Sequence, residues 1–120
     1  MNKLLKPFHN FHDNRGEIKG IINNGNWEES NFIFSKKGSL RGNHYHKETT
    51  ELIFVIEGKI EVILMDLISK KKIILVLEEN SILKITPYTV HTFKVIRESK
   101  WINYLSKKFD KEKPDINYIK

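Results

Sequence analysis

The sequence predicts an all-β protein, a sandwich or a barrel. Three observations carry this. Apolar runs of strand length recur at roughly 8–12-residue spacing, separated by turn residues. Ile, Val, Phe and Leu dominate those runs, and such side chains fit a pleated, half-buried surface. No segment sustains a 3.6-residue apolar period with capping signals, so no helix is expected beyond a single turn near Trp27–Ser30.

The expected strands, in chain order, are Glu17–Ile22, Asn31–Ser35, Leu40–His46, Glu51–Glu57, Lys59–Leu67, Lys72–Glu78, Ile82–Thr86, His91–Ile96 and Lys100–Leu105. Glu57-Gly58-Lys59 divides the fourth from the fifth. The stretches Asp66 to Lys71 and Glu78-Glu79-Asn80 punctuate the next two. Runs such as Leu52–Ile56 and Ile73–Leu77 are apolar at every position, so both faces need a cover: a second sheet, a partner subunit or a tail. Pro114 and its polar neighbours predict an irregular C-terminal tail over 106–120. There are no internal repeats and no linker, and residues 1–120 are expected to form one domain.

Composition excludes several classes. The chain has no cysteine, which removes a disulfide scaffold, a cysteine zinc cluster and a thiol nucleophile. No apolar stretch approaches the ~20 residues that span a bilayer. Residues Met1 to Asn10 lack the apolar core of a signal peptide, so a cytoplasmic protein without a membrane partner is expected. The balance is basic, with 21 Lys+Arg against 15 Asp+Glu and a net charge of +6. The basic residues are scattered, however. Lys70-Lys71-Lys72 falls where a hairpin tip would be, and Lys107-Lys108 to Lys113 reads as a solvated tail. No nucleic-acid partner is expected, and the charge is compatible with a small anionic substrate.

Five histidines occur: His9, His12, His44, His46 and His91. His44 and His46 flank Tyr45 in an expected strand, so both imidazoles point to one face. The same alternation places Leu40 and Gly42 with them, and Arg41, Asn43 and Tyr45 on the other face. Glu51 opens the next strand, and His91 opens a later one. Three imidazoles and a carboxylate suit a first-row divalent metal with open positions. A His-x-His pair alone is also compatible with a surface pair or a hydrogen-bonded core pair.

The wider spacing reads Gly38-x5-His44-x-His46-x4-Glu51-x6-Gly58. This resembles the first motif of the cupin superfamily, with every fixed position filled. The segment Pro87-Tyr88-Thr89-Val90-His91 resembles the second motif in degenerate form, with Thr89 at the glycine position and the histidine one residue early. The resemblance covers about residues 38–96. It implies a jelly-roll barrel with a site at one mouth. It further implies that His44, His46, Glu51 and His91 bind a divalent metal: zinc, manganese, iron or nickel.

Three flanking stretches narrow the resemblance. Arg41-Gly42-Asn43-His44-Tyr45-His46 looks like the Arg-Gly-x-His-x-His segment of cupins acting on nucleotide-linked keto-sugars. Trp101-Ile102-Asn103-Tyr104, followed by Phe109-Asp110-Lys111-Glu112-Lys113-Pro114-Asp115, resembles the close of capsular-polysaccharide epimerase cupin domains, with Lys111 in place of a proline and Ile116 in place of a threonine. Asp13-Asn14-Arg15-Gly16 looks like the opening of dTDP-4-dehydrorhamnose 3,5-epimerases and dTDP-sugar 3,4-ketoisomerases.

The resemblance implies an isomerase that removes a proton next to a carbonyl on a nucleotide-linked keto-deoxyhexose, in surface-polysaccharide synthesis. A metal-loaded site would hold His44 and His46 as ligands and leave Tyr88, Tyr104, His12 or a metal-bound hydroxide as the base. A metal-free site would make His44 or His46 the base. Arg15, Arg41 and Lys47 are the candidates for the substrate's diphosphate, since arginine forks match phosphate. Trp101 and Phe93 are either stacking or core residues, Tyr45 is structural, and His9 has no assigned role. A homodimer is expected. A sugar- or metal-binding cupin without turnover, and another metalloenzyme such as a dioxygenase or a sugar-phosphate isomerase, are the alternatives.

Overall fold

The computed structural model describes residues 2–119, and all of its regular structure is strand. Nine strands follow in order: β1 (Asn2–Leu5), β2 (His9–Asp13), β3 (Gly16–Gly20), β4 (Glu29–Ser35), β5 (Leu40–His44), β6 (Glu51–Asp66), β7 (Lys72–Glu78), β8 (Ile82–Ile85) and β9 (Thr89–Leu105). Seven form one antiparallel sheet in the order β1-β8-β6-β9-β4, with β5 on β9 and β7 on β6. Strands β2 and β3 make a separate hairpin. This is the jelly-roll barrel that the cupin resemblance implies.

The two long strands organise it. The first half of β6 pairs β8 and the second half pairs β7, while β9 runs beside both halves. The sequence reading split each long strand in two. The structure keeps them continuous, because Gly58 marks a bend and not a hairpin. Pairing with β9 continues on both sides of it, with register shifts between Val55 and Ile60. Gly58 adopts φ 118°, a region L side chains rarely enter. It lies against the fully buried Ser99, whose hydroxyl accepts the Lys59 N–H at 3.0 Å and donates to the Arg97 carbonyl at 2.6 Å.

The bend folds the sheet over one apolar core: Ile53, Val55, Ile60, Val62, Leu64, Leu77, Leu83, Ile85, Phe93, Val95 and Trp101. The other face of β6 puts Leu52 and Phe54 with Ile82 under Ile21, Ile22, Trp27 and Tyr104. The segment after β3 therefore supplies the second cover that Leu52–Ile56 required. On β7 the situation differs: Ile74 and Val76 point outward and are exposed.

Other departures are local. No helical turn forms at Trp27–Ser30; β4 begins at Glu29 instead. Strands β1 and β2 were not expected, since neither carries an apolar run. Asn2–Leu5 is recruited by pairing with β8, and His9–Asp13 by pairing with β3. Lys70 to Lys72 lie exposed around the β6–β7 turn, where Asp66 accepts the Ile68 and Ser69 N–H groups.

The two glycines of the first motif carry different demands. A Cβ on Gly58 would overlap the Ser99 side chain, whereas one on Gly38, at φ 86°, meets nothing within 4 Å. Gly58→Ala is expected to lower unfolding free energy by about 3 kcal/mol or more. Gly38→Ala should cost only the left-handed backbone strain of about 1–2 kcal/mol. Urea denaturation of both variants checks this, and equal losses would contradict the bend assignment.

Candidate active site

The histidine cluster forms where β5, β6 and β9 meet. His44 pairs with His91 across β5 and β9, and His91 pairs with Leu64 of β6. The ring centroids of His44 and His91 are 4.6 Å apart, His44 and His46 5.2 Å, and His46 and His91 5.1 Å. One nitrogen from each of the three lies within 4.8 Å of the others. Glu51, only 5% exposed, points at the same spot. Its Oε1 is 3.3 Å from His46 Nε2 and 3.6 Å from His91 Nε2, and its Oε2 accepts from Asn103 Nδ2 at 3.3 Å.

A bulge sets which side chains join them. The β5–β9 register shifts between Gly42 and His44, with Gly42 at φ 85° and Asn43 at φ 61°. The extra residue changes the alternation. Arg41, opposite the inward Phe93, comes to the cleft side with His44, not to the far face that simple alternation predicts. Gly42 is required there for a second reason: a Cβ would sit 2.6 Å from the His91 carbonyl.

The cleft has a volume of about 250 Å³. Its polar groups are Arg41, His44, His46, Glu51, His91 and Asn103; Phe93, Trp101, Ile33, Leu105 and Ile116 supply apolar surface. Trp101 and Phe93 are thus core residues that also line it. Arg41 is held in place: its Nε donates to Ser35 Oγ at 2.7 Å and its Nη2 to the Phe34 carbonyl at 3.1 Å.

Several expected residues lie elsewhere. Tyr104 alternates away from Asn103 and Leu105 and packs edge-on against Trp27 in the outer cluster. Tyr88 stacks on Tyr45 at 6.0 Å, and neither lines the cleft. Arg15 sits at the tip of the β2–β3 hairpin and pairs with Asp13 at 2.6 Å, and His12 is exposed on the same hairpin. Lys47 is exposed beside the site without lining it.

The cluster is electrostatically divided. Burial, with the charge of His91 and His46, pushes His44 down to about 4, so it is a neutral imidazole near pH 7. Burial also lowers His91. For His46 burial opposes the charged form, but the hydrogen bonds to Glu51 and to the Asp115 carbonyl prevail and raise it. Burial likewise opposes ionisation of Glu51, yet His46 and His91 hold its carboxyl below the usual range. His91 Nδ1 donates to the Thr89 carbonyl at 3.1 Å, which leaves Nε2 as a buried lone pair without a hydrogen-bond partner among the described residues.

Three contributors were not expected from the sequence. Asn103 orients Glu51. Asp115 accepts His46 Nδ1–H through its carbonyl at 2.6 Å. Tyr118 stands edge-on to His44, with ring centroids 6.1 Å apart. Asn103 and Asp115 fall in the stretches that resemble capsular epimerase domains, which is the signal that could have found them. Tyr118 had none.

The Asp115 carboxylate accepts the backbone N–H groups of Lys47, Glu48 and Thr49 at 2.8–3.0 Å and the Thr49 hydroxyl at 2.9 Å. Slight burial opposes these bonds, which lower the carboxyl to about 2. A carboxylate depressed in the fold stabilises above its unfolded value near 3.8 and loses that contribution as pH falls to about 2. Asp115→Asn should therefore lower the melting temperature at pH 7. The gap from the parent should close between about pH 4 and pH 2. A gap constant across that range would contradict the assignment.

A family model described as "Polysaccharide biosynthesis C-terminal domain" matches residues 11–117. No curated protein matches significantly. Among solved structures, the dTDP-4-dehydrorhamnose 3,5-epimerase of Sulfolobus tokodaii is 28% identical, with a TM-score of 0.80 over 92% of this chain and 73% of that one. The TDP-quinovose 3,4-ketoisomerase of Campylobacter jejuni is 22% identical, with a TM-score of 0.86 over 98% and 92%. A sugar 3,4-ketoisomerase of Thermoanaerobacterium thermosaccharolyticum, solved in complex with TDP, is 18% identical, with a TM-score of 0.79 over 96% and 85%. The last two speak for the fold, the cupin jelly roll. With residues 11–117 of 120 inside the family match, this chain belongs to the polysaccharide biosynthesis C-terminal domain family.

Proposed function

We propose that this chain is an isomerase of a nucleotide-linked keto-deoxyhexose, an epimerase or a ketoisomerase, working in polysaccharide biosynthesis. The observation that carries the reading is a neutral imidazole, His44, facing a small cleft with a buried ionic cluster behind it. The solved relatives, named as epimerases and ketoisomerases of dTDP-linked or related sugars, support the substrate class.

The chemistry follows from the residues. A proton on carbon next to a carbonyl needs a base and a stabilised enolate. His44 is the base: it is neutral, and Tyr88, Tyr104 and His12 do not line the cleft. A general acid that returns a proton to the opposite face gives epimerisation; a proton returned to the former carbonyl carbon, with the neighbouring hydroxyl proton passing to the former carbonyl oxygen, gives ketoisomerisation. The cleft is smaller than the ~300–1,000 Å³ of drug-sized sites, so it takes the sugar ring and leaves the nucleotide outside. Arg41, braced at Ser35 and Phe34, is the group placed for the diphosphate.

The donor set also suits a divalent metal. His46 and His91 both present Nε2 to Glu51, both donate Nδ1–H to carbonyl oxygens, and His91 Nε2 is otherwise orphaned. These three would hold it and leave His44 as the base. Such a metal would polarise the carbonyl oxygen.

The working unit is a homodimer of this single domain. The hairpin β2–β3 exposes Phe11 and Ile18 as a cross-strand pair, and an isolated two-stranded ribbon is marginal in water. Exposed Phe32 and Phe34 on β4 and Ile74 and Val76 on β7 add apolar surface that a second copy would cover.

Three measurements test the reading. With a thymidine-diphosphate-linked 4-keto-6-deoxyhexose, His44→Gln should lower kcat by about 10²–10⁴ with KM little changed. Arg41→Ala should raise KM by about tenfold or more, from loss of charged hydrogen bonds. Full activity in His44→Gln would remove the base assignment. Light scattering should give twice 14.2 kDa, and a species of 14.2 kDa would remove the dimer.

A further inference from the structure

The C-terminal segment after β9 is irregular, yet it is fastened across the site at two points. The first is the Asp115 carboxylate, which gathers three successive N–H groups and the Thr49 hydroxyl. The second is Asn117, which exchanges both backbone hydrogen bonds with Tyr45, at 2.9 and 3.0 Å. Its side-chain amide donates to the Tyr45 carbonyl and to Asp115 Oδ1, both at 3.2 Å. Between the two points lies Ile116, which lines the cleft. The anchored stretch 45–49 is the one that carries His46.

We infer that Asp115 is a positioning residue for His46, fixing through its main-chain carbonyl the ring orientation in which Nδ1–H meets the strap and Nε2 faces Glu51. A carbonyl can only accept, so the 2.6 Å contact requires the proton on Nδ1. The ring is then held with Nε2 3.3 Å from Glu51 Oε1. Apart from Glu51, Nε2 has no hydrogen-bond partner among the described residues, so release of the strap leaves the ring held at one nitrogen. The carboxylate and the carbonyl of one residue thus perform two tasks: the first anchors the strap, and the second orients the ring. Groups that orient an active imidazole in this way are commonly worth about 10- to 100-fold in activity or metal affinity. The same strap places Tyr118 edge-on to His44.

Long-range ¹H–¹⁵N spectra of the histidine rings test this on the full chain, independently of substrate. The parent protein should show His46 with Nδ1 protonated and one fixed ring environment. In Asp115→Ala the Nδ1 signal should shift and its proton should exchange faster with solvent, as the bond to the strap is lost. Thr49→Val removes one of the anchoring bonds, should give a smaller shift in the same direction, and decides the matter if Asp115→Ala does not fold. An unmoved His46 signal in a folded but destabilised variant would overturn the inference, leaving Asp115 as a turn cap only. The kinetic arm rests on the isomerase reading: kcat should fall about 10- to 100-fold with KM little changed. If the parent shows no isomerase turnover while the Nδ1 signal still shifts in the variant, the isomerase reading fails and the positioning role stands.

Discussion

The site depends on one constraint: a carboxylate, Glu51, buried in a barrel whose core is almost entirely aliphatic and aromatic. A buried charge is costly unless it is paired and hydrogen-bonded. Glu51 meets that requirement with His46, His91 and Asn103, which come from the loop after β5 and from β9. The elements that bring them together are the irregular ones. The Gly42 bulge lets β5 approach the His91 carbonyl, and the Gly58 bend lets one pair of long strands form both halves of the barrel. The strap at Asp115 closes the remaining side of His46.

That compensation divides the imidazoles. The one that bonds the carboxylate most directly is favoured as a cation, while the half-buried His44, next to two other imidazoles, is kept neutral. A cluster of like residues thereby acquires unlike properties from position alone. The result is a neutral imidazole facing the cleft with the ionic pair behind it. Arg41 adds a fixed cation at the same cleft, oriented by a buried serine and a backbone carbonyl.

Much of this was legible in the sequence. The spacing of His44, His46, Glu51 and His91 named four residues that do converge, and the apolar runs located most strands. What was hidden depends on the third dimension. Arg41 was assigned to the wrong face because a bulge, not strict alternation, sets its direction, although it remained a phosphate candidate. Tyr88 and Tyr104 were named as bases from neighbouring motifs, but one sits in the turn before β9 and the other alternates outward toward Trp27. Gly58 read as a turn because glycine punctuation does not distinguish a hairpin from a bend in a continuous strand. Asp115 and Tyr118 belong to a tail whose polar composition predicts solvent, and only its hydrogen bonds reveal the attachment. Arg15 is in a hairpin whose residues give it a carboxylate partner of its own, away from this chain's cleft.

The most direct test of the central claim is solvent exchange at the substrate carbon. Protein incubated in deuterium oxide with a thymidine-diphosphate-linked 4-keto-6-deoxyhexose should catalyse deuterium uptake next to the carbonyl, read by NMR or mass spectrometry. The label should appear at C3 or C5 for epimerisation, or at C4 for ketoisomerisation, and product should accumulate with it. Binding of the nucleotide sugar without any uptake at those carbons would contradict the account, since it would leave a cleft that holds the sugar and a base that does not act.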